Sequence, residues 1–188
     1  MKTSFVKINT LLAVFVASFA FAQQQKTANT TTKSGTELSI AEKKKALEQE
    51  KSKLIKPYHP EESAEEKINA LIEKAKKENK RIMIQAGGNW CIWCLRFNQF
   101  VQDTPELKGI VDENYLYYHL NWSPENKNEE VFARYRNPGE EYGYPVFIVL
   151  DKNGKMIHVQ ESSGLEEGKS YSVDRVKEFF LKWAGNND

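Results

Sequence analysis

With 188 residues, 40% of them hydrophobic, the chain can bury one ordinary core and has little material for a second. Lys and Arg number 27 against 26 Asp and Glu, so the formal charge is +1. That balance excludes the basic footprint of a nucleic-acid binder and gives no attraction to an anionic membrane surface.

At the N-terminus Lys2 and Lys7 precede an apolar run from Leu11 to Phe21 that ends in Ala20-Phe21-Ala22. A basic start, a short apolar stretch and small residues before a cut are the parts of a secretory signal peptide, here residues 1–22 with cleavage before Gln23. The run is too short for a comfortable membrane span, although an uncleaved anchor is the alternative. No cysteine lies near the cut, so a lipoprotein anchor is not supported. The expected location is periplasmic or secreted, without stable membrane insertion after signal cleavage.

Residues 23–56 read as a polar linker and a charged helix. Gln23 to Thr36 has almost no apolar side chain with which to offset the entropy of ordering, and is expected to be disordered. From Ser39 to about Leu54 helix formers take over, opening with Ser39-x-x-Glu42 in capping-box spacing. Pro57-Tyr58-His59-Pro60 breaks that helix, and the folded domain is placed at 57–188.

Within it, Ala64, Ile68, Leu71, Ile72 and Ala75 recur at helical spacing. Arg81 to Ala86 is a buried-strand run that ends in Gly87-Gly88. A helix from about Cys91 to Val101 turns Trp93, Phe97, Phe100 and Val101 inward, and Thr104-Pro105 restarts helix through Val111. There follow a strand at Tyr115–Leu120, a helix at about Glu129–Tyr135, a strand at Pro145–Leu150 and the turn Asp151-Lys152-Asn153-Gly154. A strand at Lys155–Gln160 and a helix at Val173–Trp183 close the chain. Alternating strands and helices followed by a hairpin predict an α/β fold with a mixed sheet covered by helices on both faces.

Only two cysteines occur, Cys91 and Cys94. A structural disulfide in an exported protein normally closes a long loop, and this pair closes almost none. A structural zinc needs more than two thiolates, and His59, His119 and His158 show no spacing that supplies the remainder. Placed after a buried strand and at the start of a helix, Cys91 has its thiolate stabilised by the helix N-terminus. Cys94, one turn on, sits beneath it as the resolving thiol. Redox use is the expected one, with metal or static structural use as the alternative.

These features resemble the thioredoxin-like superfamily, over about Glu62 to Trp183. Trp90 directly before Cys91 matches the family's Trp-Cys-x-x-Cys site, and Gly143-Tyr144-Pro145-Val146-Phe147 resembles the segment where the family holds a cis-proline beside the cysteines. The resemblance implies a thioredoxin fold with a central sheet of four to five strands, which follows the disordered and partly helical N-terminal extension that composition predicts. It also implies a protein-disulfide oxidoreductase with catalytic Cys91 and Cys94, a substrate groove at Trp90, Tyr144 and Pro145, and no cofactor or metal. Protein thiols or disulfides and an upstream thiol electron donor or acceptor would be the partners. A trans Pro145 opening a strand, and Tyr144 as ordinary core, are the plainer alternatives.

Several residues depart from the pattern. Where the family carries a buried aspartate and a nearby lysine, this chain has Gln85 and, on the expected register, His119. Gln85 cannot accept a proton. His119 is either a substitute for proton transfer to Cys94 or a structural histidine. Leu95 follows the second cysteine, and Ile92 and Trp93 between the cysteines bring no charge, which leans the direction toward reductase. Trp93 also reads simply as core packing above Phe97. The rival function, from another class, is a redox-inert thioredoxin-fold binding or assembly module.

Overall fold

The computed structural model describes residues 30–185, with side chains from Ser39 onward. The signal segment 1–22 and the start of the polar linker lie outside the described residues. The chain divides into two compact units, one through Ala46 and one from Leu47.

Helix α1 (Thr30–Lys53) begins upstream of Ser39, so Ser39-x-x-Glu42 lies inside it rather than at its start. Extending an existing helix by one residue costs far less than nucleating one, so the polar stretch from Thr30 can join the helix formers that follow Ser39 without an apolar face of its own. The second unit starts earlier than residue 57. Glu50, at the C-terminal end of α1, takes a two-pronged hydrogen bond from Arg96 (2.6 and 2.8 Å), and Tyr58 is 2% exposed. Tyr58, between the two prolines, is thus part of the core, while His59 beside it is exposed.

Helix α2 (Ala64–Glu78) is capped by Ser63, whose hydroxyl accepts from the Glu66 amide, and ends at Asn79 in the left-handed region. Strand β1 (Arg81–Gly87) leads to helices α3 (Ile92–Asp103) and α4 (Pro105–Asn114), which are separated at Thr104; Pro105 opens α4, where its missing N–H costs nothing. Strand β2 (Tyr115–Asn121) follows, then the short helices α5 (Glu129–Arg134) and α6 (Pro138–Tyr142). Strands β3 (Val146–Leu150) and β4 (Met156–Glu161) form the hairpin. A two-stranded ribbon, β5 (Glu166–Glu167) and β6 (Ser170–Tyr171), precedes α7 (Val173–Lys182). Helix α6 and the ribbon carry no signal in the sequence periodicity, being too short to show one.

The main sheet has the order β2-β1-β3-β4, with β1 parallel to β2 and antiparallel to β3. Its two faces separate by the period of two along each strand. Ile82, Ile84, Ala86, Val146, Ile148 and Leu150 meet Ala64 and Ile68 of α2 and Phe132 of α5 on one face. On the other, Met83, Phe147 and Val149 meet Phe97 of α3, Leu107 of α4 and Phe180 of α7. The hairpin turn works as its residues dictate. Asp151 Oδ1 accepts from the amides of Asn153 and Lys155, and Gly154 supplies φ = 83°, a value that side chains resist.

Two consequences position the site. Gln85 falls on the same strand face as Met83, so it points at α3 although it is polar. Phe97, fully buried and 4.4 Å centroid to centroid from Phe147, pins α3 to the sheet and holds the cysteine-bearing end in register. Truncating such a residue costs about 3–5 kcal/mol.

Candidate active site

Strand β1 stops at Gly87, and Cys91 N–H closes a turn onto Gly88 O (3.0 Å), which delivers Cys91 to the N-cap of α3. Its sulfur accepts from the Cys94 amide (3.1 Å), one of the N–H groups that a helix leaves unpaired at its start. The two cysteines form a disulfide, Cys91 being 6% exposed and Cys94 fully buried. Cys91 is therefore the sulfur an outside thiol reaches first. Gly87 is required here on spatial grounds: a Cβ at that position would lie 2.5 Å from Cys94 Sγ.

Opposite the pair, the Tyr144–Pro145 peptide bond is cis, and the Tyr144 carbonyl oxygen lies 3.6 Å from Cys91 Sγ. Tyr144 stands edge-on to Trp90 (5.7 Å) and packs near Trp122 and Phe132. Partial burial pushes its phenol up to about 12, so it stays neutral. Trp90 is 48% exposed, and its indole N–H donates to Trp122 O (2.7 Å). Trp122 is in turn tied to the end of β1, its amide donating to Gly87 O. Beside Trp90 a cleft of about 820 Å³ is lined by Pro60, Asn89, Trp122, Pro124 and Lys127. The structure thus brings Trp90, Cys91, Cys94, Tyr144 and Pro145 together.

Trp93 borders the cysteine cluster and reaches from it to the β5–β6 ribbon. It packs on Tyr171 (5.7 Å), whose hydroxyl donates to Trp93 O (3.0 Å), and the Arg96 guanidinium lies over its ring at 4.9 Å. The packing reading of Trp93 is the one its contacts support. Arg96 keeps its charge on Glu50, whose carboxyl is held below its ordinary range mainly by that hydrogen bond.

Beneath Cys94 lies a polar floor that sequence reasoning reached only in part. Gln85 is fully buried, and each end of its amide is engaged. Its Nε2 donates to Cys94 O (2.9 Å) and Tyr58 Oη (2.8 Å), while its Oε1 accepts from the Tyr117 hydroxyl (2.7 Å). Because Cys94 O can only accept, the amide orientation is fixed by chemistry. Tyr58 is held by its main chain as well: Asn89 Oδ1 accepts from its N–H (3.2 Å) and Asn89 Nδ2 donates to its C=O (2.8 Å). Burial raises the phenols of both Tyr58 and Tyr117 well above their ordinary value.

His119 is the register partner of Gln85 on β2. It packs against the rings of Tyr58 (5.2 Å) and Tyr117 (5.1 Å), and its buried Nε2 has no hydrogen-bond partner. Burial lowers its pKa to about 4. An imidazole that weakly basic does not hold a proton taken from a thiol near neutral pH, so its surroundings favour the structural alternative over proton transfer.

Tyr58, Asn89 and Trp122 are the residues that sequence reasoning missed. Tyr58 sat in a proline-flanked segment that composition marks as a boundary. Trp122 carried a usable signal, since it follows the C-terminal end of a strand parallel to β1, the edge at which α/β sheets place their sites. Among the described residues no group of three or more His, Cys, Asp and Glu side chains gathers as a metal site, and no helix is long and apolar enough to cross a membrane.

The arrangement is that of a thiol-disulfide exchange centre: one slightly exposed cysteine at a helix N-cap, one fully buried cysteine a turn below, and a backbone carbonyl facing the first ahead of a cis-proline. Residues 63–152 match the family described as thioredoxin-like. A disulphide isomerase from Xylella fastidiosa Temecula1 shares the fold at a TM-score of 0.59 and 19% identity, over 67% of this chain and 95% of that one. A DsbH oxidoreductase superposes at 0.47 with 23% identity, over 64% and 83% of the two chains. A thioredoxin from Thermus thermophilus superposes at 0.41 with 19% identity, over 61% and 78%. No curated protein matches the sequence. The match over residues 63–152, the four-stranded mixed sheet and the fold shared with the Xylella protein give this chain a thioredoxin-like fold.

Proposed function

We propose that this protein is an exported protein-disulfide reductase. The observation that carries the reading is the Cys91–Cys94 disulfide at the N-cap of α3, with its more accessible sulfur facing the carbonyl ahead of cis-Pro145. In the working direction, reduced Cys91 attacks a substrate disulfide as thiolate, forming a mixed disulfide and releasing one substrate thiolate. Cys94 then attacks Cys91 Sγ, closes the Cys91–Cys94 bond and frees the second substrate thiol. An upstream thiol donor reopens the pair.

An extended substrate segment would lie along Tyr144–Pro145 beside Trp90, where an exposed aromatic and a backbone carbonyl accept a peptide without demanding a particular sequence. The reductase direction is supported by what surrounds the sulfurs. Ile92 and Trp93 add no cation, and Arg96 is committed to Glu50, so no neighbouring cation adds to the helix terminus in favouring the Cys91 thiolate over the disulfide. Export is supported by Lys2, Lys7, the Leu11–Phe21 run and Ala20-Phe21-Ala22.

Dithiothreitol-coupled insulin reduction tests the activity, and equilibration with glutathione tests its direction. A pair that reduces insulin and remains oxidised against a strongly reducing glutathione buffer upholds the proposal. A potential in the range of strong oxidases overturns the reductase direction, and a pair that neither reduces nor exchanges overturns the activity.

A further inference from the structure

The floor under Cys94 has a direction, set by which groups donate. Tyr117 O–H donates to Gln85 Oε1, and Gln85 Nε2 donates to Tyr58 Oη. With a lone pair of its oxygen occupied by the amide, the Tyr58 hydroxyl has its own proton to give. The same group reaches the cysteines: Tyr58 packs in one buried cluster with Cys91 and Cys94, and a Cβ on Gly87 would lie 2.9 Å from Tyr58 Oη and 2.5 Å from Cys94 Sγ. Hydroxyl and sulfur thus flank a single point that glycine leaves open. Asn89 fixes the main chain of Tyr58 from the turn that carries Trp90 and Cys91, so the hydroxyl is placed by the same loop as the disulfide.

We propose that Tyr58 is a catalytic residue that serves the buried sulfur, donating a hydrogen bond to the Cys94 thiolate whenever the Cys91–Cys94 bond opens. The inference rests on the oxidoreductase reading and deepens it. When a donor thiolate attacks Cys91 Sγ, a new sulfur-sulfur bond forms to Cys91, the Cys91–Cys94 bond breaks, and its electron pair leaves on Cys94 Sγ. The Tyr58 O–H donates to that leaving sulfur and keeps its proton. A second donor thiol then displaces Cys91 and departs as the disulfide of the donor, so the donor supplies both electrons. In the substrate direction the same bond holds Cys94 in its nucleophilic form for resolution. This donor does by hydrogen bonding what an acidic group in the floor would do by taking a proton, and Gln85 has the opposite task of aiming it.

Among the described residues, the titratable groups nearest this point are neutral. Tyr117 joins through Gln85, Tyr171 approaches from β6 and Tyr144 from the cis-proline side, all with phenols raised by burial. His119 borders Tyr58 edge-on and is held neutral. A donor here therefore acts on the thiolate without a competing charge.

The test is Tyr58→Phe, which keeps the ring and removes the hydroxyl. In the full chain the rate of disulfide opening by dithiothreitol is expected to fall about tenfold, the usual worth of a hydrogen bond to a charged group. In a Cys91→Ala background the Cys94 thiol, followed by thiolate absorbance against pH, is expected to titrate about one unit higher with Tyr58→Phe than without it. In a Cys94→Ala background the Cys91 titration is expected to stay in place, which a general loss of structure would not allow. Gln85→Met, which removes the amide that aims the hydroxyl together with its bonds to Tyr117 and the Cys94 carbonyl, shifts Cys94 in the same direction and serves if Tyr58→Phe fails to fold. Unchanged Cys94 titration and opening rate in a folded variant overturn the inference while leaving an active wild-type reductase intact. A wild-type protein inert toward insulin overturns the functional reading itself.

Discussion

The two sulfurs of this protein live in opposite surroundings. Cys91 lies against Tyr144, whose ring joins those of Trp90 and Trp122 in an aromatic margin, with Trp90 nearly half exposed. Cys94 faces a closed floor in which Gln85, Tyr58 and Tyr117 spend their polar groups on one another and on the Cys94 carbonyl. The margin is aromatic and partly exposed, the side on which the proposed function places its substrate. The floor is directional, and a fault in it leaves a buried polar group unpaired. One sulfur is built for access and the other for control, although they are three residues apart in one helix turn.

That contrast can be broken experimentally. The largest effect is expected at Cys91: Cys91→Ser removes the attacking sulfur and should lower insulin reduction by at least about 10³-fold, whereas Cys94→Ser should accumulate mixed disulfides that survive on non-reducing gels. If the two variants behave alike, the division of labour between the sulfurs is wrong. Next comes the floor itself. Gln85→Leu strands the Tyr117 hydroxyl and the Cys94 carbonyl in the core, and urea denaturation should show a loss of about 2–4 kcal/mol.

A smaller effect belongs to His119. Its pKa is lowered in the fold to about 4, so above the unfolded value near 6.5 neither state binds the proton and the full stability is present. As pH falls from 6.5 toward 4 the unfolded chain takes up a proton that the folded one refuses, and stability declines by roughly 1–3 kcal/mol before levelling off. Thermal melts from pH 7 to pH 4 should show that step, and His119→Gln should flatten it. The smallest change in stability is expected on the open margin. Trp90→Ala gives up a half-exposed ring and one hydrogen bond, so unfolding free energy should move by no more than about 1 kcal/mol, with KM for insulin rising several-fold. A loss as large as that of Gln85→Leu would mean that the margin is core and not a docking surface.

The margin and the floor also differ in how legible they were. Trp90-Cys91-Ile92-Trp93-Cys94 is contiguous, and its position between a buried strand and a helix follows from the apolar run at Arg81–Ala86, Gly87-Gly88 and the helical spacing of Phe97 and Val101. Tyr144-Pro145 could be placed opposite because the family pattern puts a proline there. The sheet was readable for a similar reason, since each strand is a short apolar run bounded by turn residues. Short elements were not readable: α6 and the β5–β6 ribbon have too few residues for any periodicity.

The floor was hidden by distance along the chain. Gln85 and His119 stood out as departures, but what they contact depends on Tyr58, 27 residues before Gln85, and on Tyr117, 32 residues after it. Tyr58 lies between prolines in a stretch that composition assigns to a boundary, and only packing shows it buried. His119 shows the same limit: its type suggests titration near neutrality, and the burial that removes it from that range is a property of the surrounding rings.

The sequence by itself determined the redox pair, the helix that carries it and the alternating layers, because those depend on neighbours within a turn or a strand. The tertiary structure alone decided that Cys94 rests on a directed hydrogen-bond network, that His119 is held neutral and that Tyr58 belongs to the site. Burial and hydrogen-bond direction are set by groups that meet only when distant segments of the chain pack together.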